Sequence, residues 1–480
     1  MDQHLHDRPA PEVLRSVVRV LTTSDAPDYD QPWQTQGVTS STGSGAIIET
    51  ERGLRVLTNG HVVENQVFVE VRRYGRDRKY EAEVEGVGHE CDLALLRIPD
   101  ESFFEGTVPI PIGALPQLSD RVTVLGYPIG GDRLSVTRGV VSRIAMSTYA
   151  QSQRWLLAGQ IDAAINSGNS GGPVVRKGAI VGIAFQTLDE GQNIGYMIAA
   201  PVIRHFLQDL ENGTFDGFPS LGVVTQRLES PAHRRQLKLG RRTHGVLVRK
   251  VVYGSSAWKT IRAGDVLLEV DGVKIGADGT VHYRRNALLH HEFVVSQRHV
   301  GENMKVTVFR DGRVRRISVT LKPPQYLVPE DQYDVRPSYY VYGGLLFVPL
   351  TRDYLKTWGE EWWANAPRSL MQLYETQVRS ASRTQVVVLQ KTLADTSNRG
   401  YHELGNIVVE KVQGRRVRDL AHVVRLIARA RTEFIRIEGE DGRVVVLDRA
   451  KATQRLRPIM RRFGVPRDRS DDLPGRAVDA

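Results

Sequence analysis

Cysteine is all but missing from this chain. Cys91 is the only one in 480 residues, so no intramolecular disulfide forms, and the stapled scaffolds of small secreted proteins are excluded. The fold has to stand on packing, which fits a reducing compartment. Missing too is any run approaching the ~20 consecutive apolar residues that span a bilayer. The opening, MDQHLHDRPAPEVLR, is polar rather than signal-like. These absences lead us to expect a protein of the cytoplasm, or of the periplasm if a leader has been removed, with no membrane partner.

What is present is ordinary for a folded protein. Hydrophobic residues at 41% and charged residues at 25% favour neither disorder nor a fibrous repeat. A length of 480 residues exceeds one core and calls for about three domains. The basic balance is mild, 65 Lys and Arg against 55 Asp and Glu. No nucleic-acid motif accompanies it, so no nucleic-acid partner is expected. Part of the excess lies in RLRPIMRRFGVPRDR (455–469), which reads as a solvated tail, with an anion- or partner-binding patch as the alternative. Cys91, directly before Asp92 in an apolar strand, reads as a small buried packing residue.

Residues 14–205 read as many short strands, among them GSGAIIET, LRVLTNG, QVFVEVRRY, DLALLRI and VTRGVVSRI, punctuated by Gly, Asn, Asp and Pro. Strands at short, regular spacing indicate an all-β barrel or sandwich, and a break near PIPIGALPQLSD (109–120) divides the region into two small barrels. APVIRHFLQDLEN (200–212) has apolar residues at helical spacing and closes the unit. A mixed α/β module follows, to the Pro-rich stop at Pro323 and Pro324. A third unit repeats its skeleton, since Lys250 precedes Gly264 by the same 14 residues that separate Lys391 from Gly405. Between the repeats, Trp358, Trp362 and Trp363 fall in one expected helix, as packing residues or as a subunit contact.

The strongest chemical signal is INSGNSGGPVV (165–175), with Ser170 in a glycine-rich turn before a strand. A nucleophilic serine must stand exposed at a turn, beside backbone N–H groups that converge on the developing oxyanion. Gly168 and Ser170 would supply those donors from the loop Gly168, Asn169, Ser170, while Gly171 and Gly172 leave room for substrate backbone. LTNGHVV (57–63) places His61 at the end of one apolar strand, and CDLALLRI (91–98) places Asp92 at the start of another. Neither is decisive alone; the order His, Asp, Ser across two barrel halves makes the set a catalytic triad. The string HHE (290–292) lacks metal-ligand spacing and reads as a polar helix face, so no metal and no cofactor is expected.

On these strings, with LGYPIGG (125–131) and NIGYMIAAPVI (193–203), the chain resembles the chymotrypsin-like clan, and within it the HtrA/Deg serine proteases. The run GHECDLALLRI and the run IDAAINSGNSGGP are most similar to the plant-type members with two PDZ-like domains. The resemblance implies a mainly β chain: a trypsin-like double β-barrel over 1–215, PDZ-like α/β domains over 216–325 and 326–455, and the basic tail 456–480. It implies an ATP-independent endopeptidase acting on misfolded or unfolded proteins, built from trimers, with His61 as general base and Asp92 as its orienting partner. Loops 141–155 and 186–193 are the expected points of control. The pocket base falls at Ala164, with Ile165, Ile183, Ala184 and Phe185 as walls, which points to cleavage after small or medium aliphatic residues. Leu221, Gly222 and Val223 fit the carboxylate-binding loop of the first PDZ-like domain, where C-terminal peptides would dock. YGGLLF (342–347) departs from that pattern and stands either as a second peptide site or as a docking surface between subunits. A rival reading keeps the protease fold as a non-cutting peptide-binding scaffold; the complete triad argues against it.

Overall fold

The computed structural model describes residues 10–128, 133–163, 165, 168–187, 195–240, 242, 244–284 and 287–480. The chain divides into two compact units, one built from residues up to Asp25 with Val38–Pro324, the other from Ala26–Gly37 with Gln325–Ala480.

The first unit begins with two closed six-stranded barrels. Val17–Pro27, Thr35–Thr50, Gly53–Thr58, Leu93–Arg97, Lys79–Gly88 and Gln66–Arg73 form one in spatial order; Pro173–Arg176, Ala179–Thr187, Gly195–Ala199, Trp155–Ile161, Ser135–Thr148 and Arg121–Gly126 form the other. Closure removes the exposed sheet edges that would otherwise recruit other strands. The period of two along a strand sorts side chains between cores. On Leu93–Arg97, Ala94 and Leu96 fill the first barrel, whereas Leu93 and Leu95 join Cys91, Leu57, Leu125 and Ile183 in a separate shared cluster. Cys91 is fully buried, so burial pushes its thiol well up and leaves it a packing residue. The helix Ala200–Asp209 packs Val202, Ile203 and Phe206 into that shared cluster.

A five-strand path, Val223–Gln226, Val246–Val251, Val266–Val270, Asn303–Arg310 and Arg313–Thr320, completes the unit. The second unit repeats the same path with Leu345–Pro349, Val387–Thr392, Ile407–Val412, Phe434–Gly439 and Val444–Asp448, so the 14-residue echo between Lys250–Gly264 and Lys391–Gly405 reflects a real structural repeat. It adds one strand, Tyr340–Tyr342, outside Leu345–Pro349.

Three expectations need correction. The stretch read as a solvated tail is folded: Arg449–Phe463 is a helix that buries Leu456, Ile459 and Met460, and Gly464 ends it in the left-handed region. Those apolar residues at i, i+3 and i+4 make a buried stripe, while the arginines that dominate the composition lie between them. The tryptophans do not share one helix, because Gly359 at φ 94° breaks the segment between Arg352–Lys356 and Trp362–Asn365. Trp362 is buried against Tyr374, and Trp363 is exposed. HHE is not one helix face either: His290 ends the strand Ala287–His290 with its ring centroid 4.5 Å from that of Trp155, His291 is buried with Nδ1 3.0 Å from the Gly279 carbonyl, and only Glu292 enters the helix Glu292–Ser296.

Candidate active site

His61 sits in a single helical turn, Gly60–Val63, entered from the buried strand end Thr58–Asn59. Asp92 faces it from the start of the next barrel strand. Its Oδ2 lies 2.8 Å and its Oδ1 3.0 Å from His61 Nδ1, and Oδ1 also accepts the His61 backbone N–H at 2.8 Å. One carboxylate thus fixes both the ring and the backbone of the histidine. Asp92 is itself held in the left-handed region, φ 54°, where a non-glycine residue is uncommon and marks a constrained position. The Asn59 side-chain amide donates to the Asp92 carbonyl at 2.7 Å, clamping that turn to the residue that caps the helical turn of His61.

Burial alone would push the His61 imidazole down in pKa. The Asp92 charge and hydrogen bond, with Glu64 behind them, outweigh burial and leave it raised above the ordinary histidine value. This is the arrangement that stabilises a histidine which has just gained a proton.

The serine loop is bolted to both barrels. Gly168 and Gly171 take positive φ, 96° and 83°. A Cβ on Gly171 would stand 2.1 Å from the Ser44 carbonyl oxygen, 2.4 Å from Thr58 Oγ1 and 3.1 Å from the Asn59 nitrogen. The residue after Ser170 therefore lies against the two residues that lead into His61. A Cβ on Gly172 would meet the Leu125 carbonyl oxygen at 2.1 Å, so both glycines are required by close backbone approach. Ser170 presents its carbonyl to the Ser44 N–H at 2.8 Å, and Gly171 N–H donates to Ala184 at 2.9 Å.

Ser44 carries a role that the sequence reading missed. Its hydroxyl donates to the Gly168 carbonyl at 2.7 Å and accepts the Tyr127 N–H at 2.8 Å, which sets the orientation of the peptide plane ahead of Asn169. The GSG triplet 43–45 carried the available signal, since glycines on both sides of a buried serine indicate that another backbone must come close. Asn169 is buried beneath Gly126, whose Cβ would lie 2.9 Å from the Asn169 Oδ1.

Other expected site residues divide. Ala164 lies outside the described residues, as does 188–193 of the second control loop. Ile165 and Ala184 join the second barrel's interior, while Ile183 and Phe185 face the shared cluster on the opposite side of the strand. Strand alternation keeps these four from forming one wall. Leu221 is buried and Gly222 takes φ 69°, with a Cβ there 2.2 Å from that of Ser255. Val223 opens the strand Val223–Gln226, which lies at the end of its sheet and among the described residues pairs only with Val246–Val251. In the repeat, the equivalent strand Leu345–Pro349 is already paired on that side by Tyr340–Tyr342, which in turn meets Asp468 and Arg469.

Among the described residues no helix is long and apolar enough to cross a membrane. Residues 43–183 match the trypsin-like peptidase domain family, and 219–321 and 328–472 each match a PDZ domain family. The chain is 39% identical over 461 residues to the putative protease Do-like 3, mitochondrial, of Arabidopsis thaliana, covering 96% of this chain and 80% of that one. It is 40% identical over 470 residues to the protease Do-like 2, chloroplastic, of the same plant, covering 97% and 76%. Among solved structures it is similar to the HtrA-type protease AlgW with a tripeptide, at 27% identity and TM-score 0.50, over 65% of this chain and 96% of that one. A variant of that protease with a decapeptide matches at 25% identity and TM-score 0.52, with the same coverage.

Proposed function

The chain belongs to the Do-like (HtrA/Deg) serine proteases and is a serine endopeptidase, and on that premise we propose that Ser170, His61 and Asp92 are its catalytic triad. His61 takes the Ser170 hydroxyl proton as the oxygen attacks the scissile carbonyl. It then returns that proton to the departing amine, which leaves an acyl-enzyme that water hydrolyses by the same steps in reverse order. Asp92 stays ionised throughout and stabilises the imidazolium. The backbone N–H groups of Gly168 and Ser170 receive the oxyanion, with the plane of that loop held by Ser44.

The observation that carries this reading is the double grip of Asp92 on His61, through ring and backbone, beside a serine loop that only glycine can complete. Chymotrypsin-like activation by a freed N-terminus has no acidic partner at Asn169, so control is assigned to loops instead. Substrates are proposed to be unfolded or misfolded polypeptides, cut without ATP after small or medium aliphatic residues. The specificity rests on Ala164, at the expected pocket base, carrying no acid.

C-terminal peptides are proposed to add a strand along Val223–Gln226, with their carboxylate at Leu221–Val223, and the protein is proposed to assemble from trimers. The repeat domain takes no peptide by this route, because its corresponding strand edge is filled by its own Tyr340–Tyr342. A reducing compartment is proposed on the single buried cysteine. Casein digestion followed by mass spectrometry, with Ser170→Ala as control, tests the reading. Cuts after Ala, Val, Ile or Leu by wild type alone support it, whereas cuts after Lys or Arg contradict the proposed pocket.

A further inference from the structure

The turn that presents Asp92 is fastened from outside the barrel that contains it. Within the turn, Cys91 N–H donates to Gly88 and Asp92 N–H to His89, at 3.1 and 3.2 Å. Cys91 Sγ adds a third local bond, to the Gly88 carbonyl at 3.3 Å. The residue between them, Glu90, reaches away from the barrel. Its Oε1 accepts the Phe218 N–H at 2.9 Å, and its Oε2 lies 2.7 Å from Arg154 Nε. Arg154 in turn donates to the Phe218 carbonyl at 2.8 Å, so the pair grips both backbone polar groups of one residue. Ser152 Oγ donates to the Glu90 carbonyl at 2.8 Å and accepts the Arg154 N–H at 3.2 Å, tying the same turn to the loop that carries Arg154. The fit is close: a Cβ on Gly217, φ 88°, would stand 1.8 Å from Glu90 Oε1.

We propose that Glu90 is a positioning residue for Asp92, acting with Arg154 to make the placement of the triad carboxylate depend on the seating of Phe218. The inference rests on the triad reading above and deepens it. The Glu90 carboxylate is directed to Arg154 and Phe218, not to the triad. It bears on the reaction through the turn, because Asp92 follows it by two residues and has to meet both the ring and the backbone of His61 at once. Burial of the carboxylate raises the Glu90 pKa, and the Arg154 guanidinium and the Phe218 N–H counter that cost only in part. Phe218 is buried and stands three residues ahead of Leu221, so the chain segment entering the first PDZ domain is one of the walls against which the Asp92 turn is set.

The test is a double-mutant comparison on the full chain with a fluorogenic aliphatic peptide. Glu90→Gln is expected to lower kcat by about 10-fold with KM within about twofold, since only the geometry of the proton relay is disturbed. In an Asp92→Asn background the same Glu90→Gln change is expected to have less than about a twofold effect, because the group through which it acts is gone. Ser152→Ala, which loosens the turn without leaving a charge unpaired, is expected to reduce kcat by about threefold and to show the same loss of effect beside Asp92→Asn, and it decides the matter if Glu90→Gln fails to fold. A Glu90→Gln enzyme with wild-type kcat overturns the proposal, as does an undiminished loss in the Asp92→Asn background. Retention of activity by Ser170→Ala would instead overturn the triad reading, a separate outcome.

Discussion

Ser44 Oγ donates to the Gly168 carbonyl at 2.7 Å, joining residues 124 positions apart and fastening the serine loop to the opposite barrel. The same hydroxyl accepts the Tyr127 N–H, so its removal leaves two buried backbone groups short of a partner. Ser44→Ala is therefore expected to lower stability by about 1–3 kcal/mol. It should also reduce kcat by about 10-fold through a looser oxyanion loop, with KM little changed. Thermal melting and steady-state kinetics on one preparation check both.

The serine loop admits no side chain at Gly171. Gly171→Ala adds a methyl at 2.1 Å from the Ser44 carbonyl oxygen on a backbone at φ 83°, two independent faults. A loss of stability of about 2 kcal/mol or more is expected. Reaction of Ser170 with a fluorophosphonate should fall to background. Wild-type labelling would show that the loop is not held as described.

Activity should follow the ionisation of His61. The imidazole must be neutral to take the serine proton, and Asp92 with Glu64 raises its pKa despite burial. The acid limb of kcat/KM is thus expected to have its midpoint above about 6.5, with activity rising toward alkaline pH. Asp92→Asn should move that midpoint down and reduce kcat by roughly 10⁴-fold.

A second histidine governs stability rather than catalysis. His205 lies stacked at 4.0 Å on both Phe218 and His299. Burial, reinforced by His299, pulls its pKa down to about 4. A histidine held neutral in the folded state binds its proton more readily when unfolded. Stability from this site is complete above about 6.5, where both states are neutral, and is lost progressively as pH falls toward 4. The melting temperature of the wild type should decline across that window, and His205→Phe should flatten the decline.

One peptide per chain is the expected stoichiometry. Val223–Gln226 offers a free strand edge, whereas Leu345–Pro349 is covered by Tyr340–Tyr342. Calorimetry with a C-terminal aliphatic peptide should give a single site, abolished by Gly222→Trp because even a Cβ at that position meets Ser255. Two sites, or binding that survives the substitution, would show that the repeat domain opens.

Much of this was legible from short strings. His61, Asp92 and Ser170 each lie in a local pattern whose chemistry dictates its neighbours, and the apolar run CDLALLRI marks a strand, whose two faces serve two different cores only in the folded chain. Where the reading failed, it followed composition rather than spacing. The arginines of 455–469 concealed Leu456, Ile459 and Met460, whose i, i+3, i+4 order marks a buried helix face. Ile183, Ala184 and Phe185 are neighbours in sequence, but strand alternation turns Ala184 to one core and the other two to another, a division that composition does not reveal. Ser44, Glu90 and Arg154 have their decisive side-chain partners, Gly168 and Phe218, far away in sequence, so a single sequence does not pair them.

Everything above turns on Ser170, activated by His61, being the nucleophile. The most direct measurement is fluorophosphonate labelling followed by peptide mapping of wild type, Ser170→Ala and His61→Ala. One modified residue, Ser170, is expected in the wild type, and no modification in either variant. Labelling at another serine, or at Ser170 with equal rate when His61 is alanine, would contradict it.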